Sequence, residues 1–240
     1  MSSPLASEKK GALRTFLIGL HQQLSHARRV DILARRIASL ISERFGNSED
    51  IRCLDAGCGD MKIAETVAKI NPRTIWQCID LYALPQNLKG SERWARYQQY
   101  DGLHIPLGDK SADVVLLCDV LHHAKGNISA VLREASRVGK TVVVKDHFEY
   151  SRYSRTILKA MDFFGNWSYG VALPEHYFTP RTFEELYRAC GLTAGKIETG
   201  IDLYSHLPVI RYFLKPQWHF IALLITETER QRQSITAGFR

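Results

Sequence analysis

The sequence predicts an α/β fold of the Rossmann-like, doubly wound type, with a mostly parallel sheet and an antiparallel last strand. From residue 51 onward, apolar runs alternate with amphipathic helical segments, the pattern of a sheet covered on both faces. The first run, 51–56, breaks into a loop with two glycines. The next run ends in Asp80, about 20 residues further on, where a carboxylate can reach a ribose. These features indicate a nucleoside site at the carboxyl ends of the first strands.

Each element follows from a local signal. Strands are predicted at 51–56, 74–80, 95–100, 113–118, 141–146, 196–203 and 217–225. Helices are predicted at 61–70, before Asn71-Pro72, at 127–137 and 152–165, and from Thr179-Pro180 to Gly191. Two helices are expected in 11–45, each from an apolar stripe. The first stripe consists of Leu13, Phe16, Leu17 and Leu20. The second consists of Val30, Leu33, Ile37, Leu40 or Ile41, and Phe45, and Gly46 is expected to end this helix.

The chain divides into five parts. They are N-terminal helices over 1–50, a ligand-binding core over 51–147, a helical lid insertion over 148–180, the C-terminal part of the core over 181–226, and a polar tail over 227–240. The lid is dense in aromatic residues: Phe148, Tyr150, Tyr153, Phe163, Phe164, Trp167, Tyr169, Tyr177 and Phe178. This density favours a pocket for an apolar or aromatic molecule.

Composition narrows the class of protein. The net charge of +7 is spread along 240 residues without a basic block, which argues against a nucleic-acid partner. With no apolar stretch of membrane-spanning length and no N-terminal signal pattern, we expect a cytoplasmic protein, although the basic lid helix leaves peripheral membrane contact open. The five cysteines form no CxxC pair, so we expect reduced thiols and no metal site.

The loop after the first strand selects the ligand. A nicotinamide dinucleotide calls for G-x-G-x-x-G, and Lys62 stands at the third glycine position. Asp55, directly before the loop, would repel a diphosphate and attract an ammonium or sulfonium group. The ligand is therefore expected to be cationic at this end.

At this point the sequence resembles the class I S-adenosylmethionine-dependent methyltransferases, in particular the quinone-biosynthesis-like, type 11 subgroup. The first motif of that family is matched by Asp55, Gly57 and Gly59, and three further blocks follow at 78–81, 100–107 and 111–123. Met61 departs from the pattern, because many relatives have a third glycine there.

The resemblance implies that S-adenosyl-L-methionine is the cofactor and S-adenosyl-L-homocysteine the product. By resemblance, Asp80 binds the ribose, Asp101 accepts a hydrogen bond from the adenine amino group and Leu103 packs on the ring. The full set of implied cofactor-binding residues is Asp55, Gly57, Gly59, Asp60, Asp80, Leu81, Asp101, Gly102, Leu103, Cys118 and His123.

Methyl transfer asks the protein to align an acceptor, exclude water and, for some acceptors, remove a proton. His122 and His123 follow the fourth strand, and Asp146 and His147 end the fifth. Of these, His123 and His147 are the candidate catalytic bases, because an imidazole titrates near neutral pH.

The expected function is therefore methylation of a small apolar or aromatic molecule at oxygen or carbon. A tRNA or protein methyltransferase is the alternative, and a cofactor-binding protein without transfer activity is a third. The segment Cys118-Asp119-Val120-Leu121 stands where amino-methylating nucleic-acid enzymes carry an Asn-Pro-Pro-Tyr-like motif. The sequence leaves the oligomeric state open.

Overall fold

A computed structural model describes residues 26–124, 126–166, 174–206, 208–226 and 229. Seven strands form one sheet in the order β3-β2-β1-β4-β5-β7-β6. Their bounds are β1 Ile51–Ala56, β2 Thr74–Asp80, β3 Tyr97–Gln99, β4 Ala112–Cys118, β5 Gly139–His147, β6 Leu192–Thr199 and β7 His219–Thr226. β1 to β5 pair in parallel, and β7 is antiparallel to both β5 and β6. The predicted fold class is confirmed.

Helices cover both faces of the sheet. They are α1 over 26–45, α2 Lys62–Ile70, α3 Glu92–Ala95, α4 Ile128–Val138, α5 Arg152–Asn166, α6 Pro180–Ala189 and α7 Pro208–Phe213. One apolar core joins α1 and α2 to one face, and a second joins α4 and α6 to the other. β4 and β5 lie between these two cores, which is why their sequences are almost continuously apolar.

Several predicted signals mark element ends as expected. Leu33 and Ile37 of the second N-terminal stripe are fully buried, and Gly46 follows α1 with a φ of +56° and donates its N–H to the Ser42 carbonyl at 2.9 Å. Thr179 caps α6, with Thr182 completing the box, and Gly191 follows the helix with a φ of +72°. No helix within the described ranges has the length and apolar character needed to cross a bilayer.

The sixth strand lies at Leu192–Thr199, so it starts and ends four residues before the predicted 196–203. It begins at Leu192, because Gly191 in the left-handed region reverses the chain directly after α6, and Gly200, with a φ of +77°, follows its end. Ile201 and Leu203 are buried as loop residues in the core beneath α1, which explains their apolar character. The stripe of Leu13, Phe16, Leu17 and Leu20, residues Trp167 and Tyr169, the side chain of Phe164 and the tail over 230–240 lie outside the described residues.

The sheet register gathers the strand ends that matter. Asp55 pairs with Cys78 of β2 and Leu116 of β4, so the carboxyl ends of β1, β2 and β4 lie side by side. β7 runs the opposite way, and its first residue, His219, therefore lies opposite His147, the last residue of β5.

Candidate active site

The loop after β1 has a backbone that other residues would strain. Gly57 has a φ of +82° and Gly59 a φ of +51°. A Cβ on Gly57 would lie 2.4 Å from Cγ2 of Val120, so the loop packs against the turn after β4 only with glycine there. Met61 is also left-handed, with a φ of +62°, and its side chain is buried in the core.

Asp55 is a buried acid beside this loop. Its side chain is 2% exposed, and Oδ1 has no hydrogen-bond partner among the described residues. Burial, followed by the charges of Asp80 and Asp60, raises the pKa of Asp55 to about 7. A buried carboxylate oxygen without a donor is costly, and a cationic ligand group would relieve that cost. The corner formed by Asp55 and the glycine loop therefore fits the ammonium group of S-adenosylmethionine.

Asp80 and Asp60 both help to shape the loop. Asp80 accepts hydrogen bonds from the backbone N–H of Gly59 at 2.8 Å and of Tyr82 at 3.1 Å. Asp60 pairs with Nε2 of His26, on α1, at 2.9 Å and with Nζ of Lys62 at 3.0 Å. Burial raises the pKa of Asp60, but these two partners outweigh it and hold the pKa below its usual range. Because protein groups already engage Asp60, its contact with the cofactor stays a prediction.

The residues expected around the adenine come together at the edge formed by β2 and β3. Oδ1 of Asp101 accepts from the backbone N–H of Leu103 at 2.8 Å and of His104 at 2.7 Å. The His104 side chain and these two N–H groups lower the pKa of Asp101 to about 2. Leu81 lies against Gly102, with Cδ1 3.6 Å from where a Cβ on that glycine would be. The two predicted segments therefore line one small surface.

A buried ionic cluster follows β4 and ends β5. Asp119, in the left-handed region with a φ of +57°, pairs with Arg29 of α1 and with Lys145, whose side chain is fully buried. Burial pushes the pKa of Asp119 up, but Lys145 and Arg29 hold it well below its usual range. Asp119 is thus ionised, and it ties the N-terminal helix to the sheet. Cys118, the predicted cofactor contact, is half-buried beside it.

His122 is clamped between two carboxylates. Its Nδ1 lies 2.7 Å from Oδ1 of Asp146, and its Nε2 lies 3.4 Å from Oδ2 of Asp162, on α5. Tyr177 donates its hydroxyl to the same Asp162. Burial alone would lower the pKa of His122, but Asp146 and Asp162 reverse this and raise it to about 10. The imidazolium therefore links the lid helix to the ends of β4 and β5.

His147 differs from His122 in the direction in which its surroundings move its pKa. Its Nε2 lies 3.4 Å from Nζ of Lys145, and its Nδ1 lies 3.5 Å from Oδ1 of Asp119 and 3.6 Å from Oδ1 of Asp146. Burial, and then the charge of Lys145, lower the pKa of His147. His147 is therefore neutral at pH 7, the state that a general base requires. His123, the other candidate, is half-buried with its ring 4.0 Å from that of His122.

Four groups in this cluster have a spacing that could hold a metal ion. Asp119, His122, Asp146 and His147 each offer a ligand atom within 4.8 Å of the others. However, both carboxylates of this group already pair with protein cations. Asp119 pairs with Lys145 and Arg29, and Asp146 pairs with His122, so these side chains supply the positive charge that a metal ion would otherwise provide. That the protein binds no metal stays a prediction.

Comparison with known proteins identifies the domain that contains this edge. Residues 54–142 match the model of a family described as a methyltransferase domain. None of the curated proteins compared with the chain matches it in sequence.

Solved structures share the fold. A putative sarcosine dimethylglycine methyltransferase from Galdieria sulphuraria has a TM-score of 0.58 at 14% identity, over 80% of this chain and 84% of that one. A 1,6-didemethyltoxoflavin-N1-methyltransferase from Burkholderia thailandensis, with bound 1,6-didemethyltoxoflavin and S-adenosylhomocysteine, has a TM-score of 0.56 at 14% identity, over 95% and 92%. A Haloferax volcanii complex of the Trm112 methyltransferase activator with a putative methyltransferase has a TM-score of 0.56 at 12% identity, over 81% of this chain and 88% of that one.

The domain matched over residues 54–142 and the fold support a class I S-adenosylmethionine-dependent methyltransferase. S-adenosyl-L-methionine is its cofactor.

Sequence reasoning missed five members of the ionic cluster and its surroundings: Arg29, Lys145, Asp162, Tyr177 and His219. Lys145 carried a usable signal, since a lysine within the apolar run of β5 needs a buried partner. The other four reach the cluster through contacts distant in sequence, which no local pattern indicates.

Proposed function

We propose that this methyltransferase acts on a small apolar or aromatic acceptor, at an oxygen or carbon that becomes nucleophilic when it loses a proton. The observation that carries the proposal is the neutral, buried imidazole of His147 at the end of β5, in the ionic cluster that adjoins the glycine loop. Bound S-adenosylmethionine supplies an activated methyl group, so the chain has only to position the acceptor and manage one proton.

The residues divide this work. Asp55 binds the ammonium group of the cofactor, Asp80 the ribose, and Asp101 with Leu103 the adenine. His147 receives the acceptor's proton. His122 holds Asp146 in place, and Asp146 in turn accepts the backbone N–H of His147 at 2.7 Å.

We assign the exclusion of water from the acceptor site to α1 and α5. Arg29 of α1 reaches Asp119, and Asp162 of α5 reaches His122. We take 1–50 as cover, 51–147 with 181–226 as the core, and 148–180 as the lid. Leu158, Tyr177, Leu214 and Trp218 form a separate apolar cluster beside the β5 end, which suits an apolar acceptor. The Burkholderia thailandensis structure, which holds 1,6-didemethyltoxoflavin beside S-adenosylhomocysteine, supports an acceptor of similar size here.

The test uses S-adenosylmethionine labelled in its methyl group. The full chain is incubated with small-molecule and lipid extract, with RNA, and with protein, and label is followed into each fraction. We expect label in the small-molecule fraction. Label in RNA or protein would instead support a macromolecular acceptor, and cofactor binding without label in any fraction would support a protein without transfer activity.

A substitution then tests the base. His147→Gln should lower kcat by about 100-fold, the typical contribution of a general base, while cofactor affinity measured by calorimetry stays within a factor of three. Glu185→Gln, at an exposed acid on α6 paired with Arg181, is the control and should leave kcat unchanged. Equal kcat values for the His147→Gln and wild-type proteins would remove His147 from the chemistry.

A further inference from the structure

A second buried imidazole lies beside His147 and has no part in the reaction described above. His219 begins β7, opposite His147 in the sheet register, and the two ring centroids lie 4.9 Å apart. His219 is 2% exposed, and neither of its ring nitrogens has a hydrogen-bond partner within the described part of the chain. A buried ring with both nitrogens unsatisfied is costly in a folded protein, which points to a ligand that satisfies them.

His147 contributes a further unsatisfied atom. Its Nδ1 is buried and lies beyond hydrogen-bond length from the nearest carboxylates. Burial lowers the pKa of both histidines. The facing His147 and then Lys145 lower the pKa of His219 further, whereas Asp119 raises it. Each ring is therefore neutral. His219 offers one donor and one acceptor nitrogen, whereas His147 offers Nδ1 alone, because its Nε2 lies 3.4 Å from Nζ of Lys145.

Aromatic and apolar side chains border this pair. The ring of Tyr204 lies 5.8 Å from that of His219, and the ring of Tyr177 lies 6.0 Å from that of His147. Both tyrosines belong to the apolar cluster with Leu158, Leu214 and Trp218, or pack against it. A polar end and an apolar wall therefore adjoin each other, the arrangement that binds a ring carrying one polar group.

We infer that His147 and His219 together form the polar end of the acceptor site and bind the hydroxyl group of a phenol-class acceptor, whose ring packs against the apolar cluster. One imidazole nitrogen accepts the hydroxyl hydrogen and another donates to the hydroxyl oxygen. Two neutral imidazoles suit a hydroxyl group better than a carboxylate or phosphate, which would call for cationic partners. The inference rests on the proposed function and names its substrate class.

Nuclear magnetic resonance of the full chain, labelled with 15N-histidine and saturated with S-adenosylhomocysteine, tests the inference without turnover. The probes are phenol and toluene at millimolar concentration, which share a ring and differ in the hydroxyl group. We expect phenol to shift the ring nitrogen resonances of His147 and His219, and toluene to leave them in place. An equal response to both probes, or no response of these two rings to phenol, would overturn the inference.

Substitution gives an independent reading. His219→Phe keeps an aromatic ring without nitrogens, and we expect about tenfold weaker phenol binding, the loss of one or two hydrogen bonds, with unchanged S-adenosylhomocysteine affinity. His219→Gln should recover part of the loss, and Glu185→Gln, at an exposed acid on α6 paired with Arg181, should show none. Unaltered phenol affinity in His219→Phe would contradict the inference. If His219→Phe loses S-adenosylhomocysteine binding it has misfolded, and the phenol affinity of His219→Gln relative to wild type then decides.

The two proposals fail in different ways. The proposed function fails if no label enters small molecules, whereas the histidine pair is judged by phenol binding alone.

Discussion

Asp55 is a buried acid whose protonation state should depend on whether the ammonium group of the cofactor is bound beside it. Without ligand its pKa is raised to about 7, so it is largely protonated below neutral pH. Because an ammonium group favours the ionised form, cofactor binding near pH 7 should release a proton. The affinity for S-adenosylmethionine should therefore fall as the pH drops below 7, by up to about tenfold per pH unit, because Asp55 must lose a proton before it can pair with the ammonium group.

The test compares wild type with Asp55→Asn by calorimetry between pH 6 and 8. Asp55→Asn should bind S-adenosylmethionine at least about tenfold more weakly at pH 8 and lose the dependence below pH 7. The ligand's amino group, with an ordinary pKa of about 8, titrates in both proteins, so the difference between the profiles isolates Asp55. Parallel profiles would show that Asp55 does not meet the cation.

The same residue predicts an effect on stability. An acid with a raised pKa in the folded state destabilises the protein as pH rises from about 4 through 7, because the folded state holds the proton more tightly. At pH 8 without ligand, Asp55→Asn should therefore unfold at higher denaturant concentration, by a gain of up to about 4 kcal/mol in the free energy of unfolding. A lower midpoint at pH 8 would mean that Asp55 has a stabilising partner.

The sequence predicts most residues of the corner around the glycine loop but few residues of the ionic cluster. Asp55, Gly57, Asp80 and Asp101 are placed by spacing within short local patterns, and the structure brings them to one edge of the sheet. Arg29 and His219 come from opposite ends of the chain. Only the packing of α1 and the antiparallel register of β7 bring these two residues to the cluster.

At the scale of elements, the lid helix α5 depends on one buried imidazolium. His122 is charged at neutral pH and joins Asp146 of β5 to Asp162 of α5. Its pKa is raised to about 10, so its stabilising contribution is complete below about pH 6.5 and is lost as pH rises through about 10. Removing the imidazole leaves two buried carboxylates without their cation, a loss on the order of 3 kcal/mol.

Hydrogen exchange resolves this effect by segment. In His122→Gln at pH 7, amides of 152–163 should exchange faster relative to wild type, whereas those of β1 and β2 should change little. The difference between the two proteins should shrink near pH 10, where wild-type His122 loses its proton. His104→Gln, at an exposed histidine, is the control. Uniform acceleration across the chain would assign His122 a general stabilising role in place of a lid contact.

Element prediction succeeded where a stop signal coincided with a change in pattern. Thr179-Pro180 and Gly191 marked α6 because capping chemistry is local. The predicted β6 lies four residues too far along the chain because Ile201 and Leu203 are as apolar as strand residues. In the structure these two residues belong to a loop and pack into the core under α1. Burial by a distant helix cannot be distinguished from burial in a sheet by composition alone.

At the scale of the whole molecule, cofactor binding should stabilise the entire chain, because the corner residues come from β1, β2 and the segment after β3. At a concentration 100 times Kd, a ligand adds about 2.7 kcal/mol to the free energy of unfolding. For a chain of this size that corresponds to a rise in Tm of roughly 5–10 °C. NAD should give no rise, because its diphosphate would meet Asp55.

Asp80→Ala connects this readout to the corner, since Asp80 both holds the Gly59 N–H and is proposed to bind the ribose. Loss of charge-assisted hydrogen bonds should weaken cofactor binding by about tenfold or more, which removes roughly half of the rise in Tm at the same ligand concentration. Asp31→Ala, at an exposed acid on α1 paired with Arg35, should keep the full rise. A rise in Asp80→Ala equal to that of wild type would mean that the cofactor binds elsewhere, because any ligand bound through Asp80 must lose affinity when that carboxylate is removed. A rise with NAD would instead show that Asp55 does not exclude a diphosphate.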